Sequence, residues 1–193
     1  NDAELYVNLG LSYGNLKYYE KAIPPFKQAI RLVPYPDYYY YLADTYNALK
    51  RYKEAISTLK QVIKKDPQFF EAYYLLCNSY GRLERYEESI AICKKLIQED
   101  FTDAVLKPNH AISYFYLGLN YHKLGRYEEA INSYKQAIKL NPDYAKAYYY
   151  LGRTYFLNNN EKSALKIYEF LKKVDQDLAQ KLYDFIYKNR NKS

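Results

Sequence analysis

The chain has 193 residues, is 49% apolar, and sets 29 basic against 22 acidic residues for a net charge of +7. That is enough apolar material for a real core, but six Gly and seven Pro leave little for the tight turns of an all-β fold. No apolar run approaches the roughly 20 residues needed to cross a bilayer. Taken in chain order, five helix-turn-helix units are expected at 3–35, 36–69, 70–103, 111–144 and 145–177, with a closing helix over 178–190. In the first unit, Pro24 and Pro25 fall early in the second helix and predict a late or distorted start there, because proline lacks the N–H that a helix interior needs. An excess of seven residues, 104–110, separates the third unit from the fourth. It reads as about two extra turns on the preceding helix, in phase through Leu96, Ile97, Phe101, Ala104 and Val105, with a bulging loop as the alternative. In the fifth unit Asn158, Asn159 and Asn160 make the turn. Asp177 is the expected cap of the closing helix, whose Leu178, Leu182, Phe185 and Ile186 share one side and would shield the last unit from water.

The register behind these units is a recurrence of small residues. Gly10, Ala43, Cys77, Gly118 and Gly152 are spaced by 33, 34, 41 and 34 residues; each follows a leucine and precedes a tyrosine by three places. Twelve residues after each comes a second small residue: Ala22, Ala55, Ser89, Ala130 and Ala164. Paired small side chains predict close contact between the two helices of each hairpin. Tyr6, Tyr39, Tyr73, Tyr114 and Tyr148 are expected to face the core, and Tyr19, Tyr52, Tyr86 and Tyr127 to pack at the turns, which gives many of the 28 tyrosines a structural place.

With an aromatic before Leu-Gly-x-x-Tyr, then Ala, an aromatic, Ala and Pro, the pattern resembles the tetratricopeptide repeat family over nearly the whole chain. The fourth copy is the cleanest, with Tyr114, Leu117, Gly118, Tyr121, Ala130, Tyr134, Ala137 and Pro142 in the family's places. The resemblance implies an all-α, right-handed superhelical solenoid of five repeats plus a C-terminal capping helix. It also implies a concave wall made by the first helices, which receives a segment of a partner protein.

Helical spacing then leaves the fifth, ninth and twelfth residues of each repeat for that wall. The fifth places hold Val7, Tyr40, Tyr74, Phe115 and Tyr149, an aromatic ladder in four consecutive repeats. Asp44, Asn78, Leu119, His122 and Arg153 follow from the ninth and twelfth places, and Arg82, Lys123 and Lys146 add charge beside them. Charge along the expected groove is uneven: Glu4, Asp37, Asp44 and Glu71 come from the first three repeats, and Arg82, Lys123, Lys146 and Arg153 from the last three. Complementary potentials would orient a bound segment with its basic residues toward the first repeats and its acidic residues toward the last. The alternative is that these are solvated surface charges. Some members of the family clamp a chaperone's carboxy terminus with Lys and Asn. Here Asn78 and Lys146 fall in suitable places, but Tyr74, Tyr116 and Tyr150 stand where further polar ligands should be.

No catalytic residue, cofactor or metal is expected. Cys77 and Cys93 occupy packing places, His110 and His122 lie in different contexts, and no phosphate-cradling glycine loop is present. The function expected is a scaffold or adaptor rather than an enzyme. Self-association is one alternative. Nucleic-acid binding is another, suggested by the pI near 9.0 and the aromatics and opposed by the acidic half of the groove. The absence of methionine reads as a processed or excised chain with repeats upstream, and a cytoplasmic location is the expectation for so polar a segment.

Overall fold

A computed structural model describes residues 2–98 and 109–190. Among these residues the chain is all-helical: α1 (Asp2–Asn15), α2 (Tyr19–Leu32), α3 (Pro36–Ala48), α4 (Tyr52–Lys65), α5 (Phe70–Arg82), α6 (Tyr86–Gln98), α7 (His110–Lys123), α8 (Tyr127–Leu140), α9 (Ala145–Leu157), α10 (Glu161–Val174) and α11 (Gln176–Arg190). The chain divides into two compact units, Asn1–Glu88 and Ser89–Ser193. In the first, α1 to α5 pack in sequence, each on the next; in the second, α7 to α10 do the same and α11 closes on α9 and α10.

The turns inside the hairpins repeat one device. After α1, α3, α5, α7 and α9 the chain turns through a left-handed residue: Lys17, Lys50, Glu84, Gly125 and Asn159. At each, the residue after it donates its N–H back to a carbonyl five residues earlier: Tyr18 to Tyr13, Arg51 to Tyr46, Arg85 to Tyr80, Arg126 to Tyr121 and Asn160 to Tyr155. These are Schellman closures, which satisfy carbonyls that a helix end would otherwise strand. The tyrosine of each Leu-x-x-x-Tyr motif is therefore fixed by its backbone as well as its ring. In three turns the residue after the left-handed one is an arginine whose guanidinium lies over that tyrosine, at 4.8 Å for Arg51 on Tyr46, 4.7 Å for Arg85 on Tyr80 and 4.5 Å for Arg126 on Tyr121. Each arginine also bonds the glutamate three places on, Glu54, Glu88 or Glu129, and holds its carboxyl below the usual carboxylate range.

All ten small residues of the register are buried. A methyl group added at Gly10 would sit 2.6 Å from the ring of Phe26, and one at Gly118 would sit 2.6 Å from the ring of Tyr134. The first helix thus gives up its side chain to admit an aromatic from the second, one turn beyond the second small residue. At Gly152 the intruder is Leu182 of α11, again at 2.6 Å. Leu182 and Ile186 are fully buried, so α11 covers the last hairpin with the apolar side read from the sequence.

Three local expectations change. The helix containing Pro24 and Pro25 starts at Tyr19, with no delay. The carbonyls that lose their donors belong to Glu20 and Lys21, which are exposed and can bond water instead. The cap of α11 is Asp175, not Asp177: its carboxylate accepts from the Leu178 N–H at 3.0 Å, and Asp177 instead pairs with Lys181 one turn on. Tyr6 and Leu9 are exposed, whereas Leu42, Leu76 and Leu151, which hold the place of Leu9 in later repeats, are buried. The extension expected at 104–110 falls, up to residue 108, outside the described residues. Asn109 caps α7 through its side chain, which accepts from the Ile112 N–H at 3.2 Å. A buried bond of 2.7 Å from the Asn120 amide to Ser89 Oγ ties α7 to α6.

Candidate functional site

Each unit presents its first helices side by side, α1, α3 and α5 in one, α7 and α9 in the other. Seams between first helices are closed by side chains 32 residues apart. Ser79 Oγ on α5 lies 2.9 Å from the Asn47 side-chain amide on α3, and His122 Nδ1 on α7 lies 2.8 Å from Thr154 Oγ1 on α9. Thr154 spends its hydroxyl hydrogen on the Tyr150 carbonyl at 2.6 Å. His122 therefore carries its proton on Nδ1 and donates, which leaves Nε2 as the bare nitrogen. Burial first, then the charges of Arg153 and Lys123, push the imidazole down to a pKa of about 4, so it is neutral near pH 7. His122 was expected on the open groove; it is a partly buried tie between repeats.

In the first unit, a cavity of about 470 Å³ opens between α1 and α3, bordered by Glu4, Asn8, Asp37, Tyr35, Tyr38 and Tyr41 among others. Of the expected residues here, Tyr40 is partly buried, its ring 5.1 Å from Phe69. Tyr74 and Asn78 are partly buried and Arg82 is exposed. Asp44 is exposed over the residue as a whole, yet its carboxyl is partly desolvated and raised above the usual range. Of the acidic residues read from the sequence, Glu4 and Asp37 border this cavity and Asp44 and Glu71 do not. The cavity's tyrosines escaped the sequence reading because α3 carries four in succession, Tyr38 to Tyr41, and only the local rotation of the helix sorts them.

In the second unit the structure brings His122, Tyr149 and Arg153 together around Tyr150, and the charge of Lys123 acts on His122. The Arg153 guanidinium lies 5.6 Å from the Tyr149 ring, 5.9 Å from Tyr150 and 4.2 Å from Phe185 of α11. Stacking on several rings offsets part of the cost of removing the charge from water. Among the described residues no carboxylate pairs with it. Leu119 is partly buried and Lys146 exposed. Phe115 departs from the expected ladder: it is 6% exposed, enclosed by Tyr144 at 4.9 Å, Tyr150 at 5.7 Å and Tyr134 at 6.1 Å. Its fifth-place neighbour Val7 is likewise buried. Phe115 is covered by Tyr134 and Tyr144 of its own repeat and Tyr150 of the next, which spacing within one helix does not reveal. Thr154 was missed, and Tyr134, Tyr150 and Phe185 were read only in other places; the signal for Thr154 was the offset of 32 residues shared by Asn47 with Ser79 and His122 with Thr154.

Among the described residues no three His, Cys, Asp or Glu side chains gather as a metal site would require, and no helix is long and apolar enough to cross a membrane.

Family models of the tetratricopeptide repeat match residues 7–68 and 46–107, and a TPR repeat model matches 118–159. No curated protein matches the chain. Among solved structures the chain is similar to MamA of Desulfovibrio magneticus RS-1, with a TM-score of 0.76 and 21% identity over 92% of this chain and 97% of that one. It is similar to a thermophilic TPR protein of Thermus thermophilus, with a TM-score of 0.73 and 23% identity over 96% and 99%. YrrB, described as a TPR protein with an unusual peptide-binding site, aligns with a TM-score of 0.66 and 21% identity over 95% and 92%.

Proposed function

This chain belongs to the tetratricopeptide repeat family, and from that premise we propose that it is a protein-interaction scaffold whose first-helix walls receive an extended or helical segment of a partner protein. Family membership supports a binding rather than a catalytic role, and YrrB shows that a similarly built protein carries a peptide-binding site. The single observation that carries the finer reading is the cluster around Arg153. A guanidinium held by three aromatic rings, with no carboxylate among the described residues, is charge and apolar area presented together, which is the composition of binding hot spots. Along the first helices, Glu4, Asp37, Asp44 and Glu71 precede Arg82 in the first unit, and Lys123, Lys146 and Arg153 stand in the second. The first suits a basic segment of the partner and the second an acidic one.

The test is selection of peptides from a random displayed library on the immobilised full chain, followed by affinity measurement against variants. Tyr40→Ala and Tyr149→Ala should weaken the selected peptides, while Gln61→Ala and Gln136→Ala, exposed on second helices α4 and α8, should leave them unchanged. Binding lost to the second-helix variants and kept by the others would place the interaction elsewhere. A second reading, self-association, is favoured by the apolar surface of α1, where Leu5 and Leu9 are 67% and 44% exposed. Sedimentation that depends on concentration in the wild type and not in a Leu5→Glu/Leu9→Glu variant would establish it.

A further inference from the structure

The cavity of about 470 Å³ between α1 and α3 is bordered by Tyr35, Tyr38 and Tyr41, by the carboxylates of Glu4 and Asp37, and by the apolar Val7 and Leu11. The Tyr35 and Tyr38 rings meet at 72° with centroids 5.6 Å apart, so they make two walls of a corner. Tyr38 is buried, whereas Tyr35 is 56% exposed, an aromatic with area still to cover. Burial first, and then the charges of Glu4 and Asp37 among others, raise the Tyr38 hydroxyl above its ordinary range, which puts both carboxylates within electrostatic reach of one ring. Elsewhere the tyrosines of this chain take an internal cation: Arg51 on Tyr46, Arg85 on Tyr80, Arg126 on Tyr121 and, next in sequence to Tyr38, Lys65 on Tyr39 at 5.4 Å. Among the described residues no lysine or arginine lies over Tyr35, Tyr38 or Tyr41, and none pairs with Glu4 or Asp37. Aromatic rings and two carboxylates converge on an open space that the chain's own cations do not reach.

We propose that this cavity is a cage for an N-methylated ammonium group, carried by a methylated lysine of the partner segment. The methyl groups, over which the positive charge is spread, lie against the tyrosine rings, the alkyl stem follows Val7 and Leu11, and Glu4 and Asp37 neutralise the charge at the rim. A bare ammonium is strongly hydrated and has three N–H donors to satisfy, whereas a methylated one holds water less firmly and leaves it for aromatic rings at lower cost. This rests on the first-helix wall being the binding surface and adds which side chain it selects.

The test is titration of the ¹⁵N-labelled full chain with N-acetyl-trimethyllysine methylamide, its unmethylated lysine parent, the uncharged analogue with carbon in place of the side-chain nitrogen, and choline. The trimethyllysine probe should bind saturably and move amides of α1 and of the start of α3. The uncharged analogue should bind about threefold to thirtyfold more weakly, the worth of a cation over aromatic rings between exposed and desolvated settings. The lysine parent should bind at least about threefold more weakly, and choline, which lacks the longer stem, more weakly too. Tyr35, Glu4 and Asp37 are exposed, so their variants keep the fold, which thermal melts verify. Tyr35→Leu keeps apolar area but removes the aromatic face and should cost roughly threefold or more, Tyr35→Phe should restore the affinity, and Glu4→Gln/Asp37→Asn should weaken the trimethyllysine probe and leave the uncharged analogue unchanged. Shifts confined to other helices, equal binding of the uncharged analogue or of the lysine parent, choline binding as tightly as the trimethyllysine probe, or full affinity in Tyr35→Leu would each overturn the cage. A trimethyllysine probe that fails to bind while library peptides still bind the first-helix walls would sink this inference alone, whereas failure to select any peptide would sink the scaffold reading.

Discussion

Replacing Gly118 by alanine adds one methyl group to α7, and the structure places it 2.6 Å from Cε1 and 2.7 Å from Cδ1 of Tyr134. Real Cβ atoms do not approach so closely, so the ring or the helix must move. The ring has nowhere to go: Tyr134 is fully buried, with Phe115 and Tyr150 against it. Overpacking of this kind costs about 1–3 kcal/mol, against which alanine returns about 1 kcal/mol of helix propensity over glycine. A net loss of up to about 2 kcal/mol follows, a fall of up to roughly 8 °C in melting temperature for a chain of this size. Gly14 provides the control, since it also lies inside a helix but has nothing within 4 Å of an added methyl. Gly14→Ala should gain about 0.5–1 kcal/mol. Urea unfolding followed by circular dichroism measures both, with attention to whether the transition stays two-state in a repeat array. If Gly118→Ala stabilises as Gly14→Ala does, the assigned contact between first helix and aromatic is wrong.

Further outcomes follow from the same geometry. Lys50 sits at φ 60° in a turn equivalent to the one where Gly125 sits at 73°, so Lys50→Gly should stabilise by about 1 kcal/mol and Gly125→Ala destabilise by a similar amount, read by denaturant midpoint. Leu182→Ala should cost about 2–5 kcal/mol, and in that background Gly152→Ala should lose most of its own penalty, because the 2.6 Å clash is with the deleted side chain; a double-mutant cycle showing simple additivity would refute the contact. His122 binds its proton less readily folded, at about 4, than unfolded near 6.5, so the unfolded chain takes up more protons between those values. The stability it contributes is fully present above pH 6.5 and is lost as pH falls through 4. At about 1.4 kcal/mol for each tenfold change in proton affinity, the loss reaches about 3 kcal/mol, and His122→Asn should remove that part of the acid dependence in melts at pH 4 to 7.

The sequence disclosed what depends on one helix or one turn. The spacing of Gly10, Ala43, Cys77, Gly118 and Gly152 marks helix faces because burial follows a 3.6-residue period, and all five are buried. The apolar side of α11 was legible for the same reason. What stayed hidden depends on neighbours distant in sequence. Phe115 and Tyr149 occupy the same place in successive repeats, yet only the first is roofed by Tyr144 and Tyr150. His122 looked like a groove residue until Thr154, on the next first helix, claimed its ring. Pro24 and Pro25 misled because a rule about lost hydrogen bonds says nothing of whether water can reach the freed carbonyls. Asp175 and Asp177 were both suitable caps by type, and backbone geometry chose between them.

The binding claim is decided most directly by amide chemical-shift mapping of the labelled chain with a library-selected peptide at saturation. The account predicts that the large changes fall on α3, α5, α7 and α9, with Tyr149 and Arg153 among them. Changes confined to the outward residues of α4, α8 and α10 would contradict it.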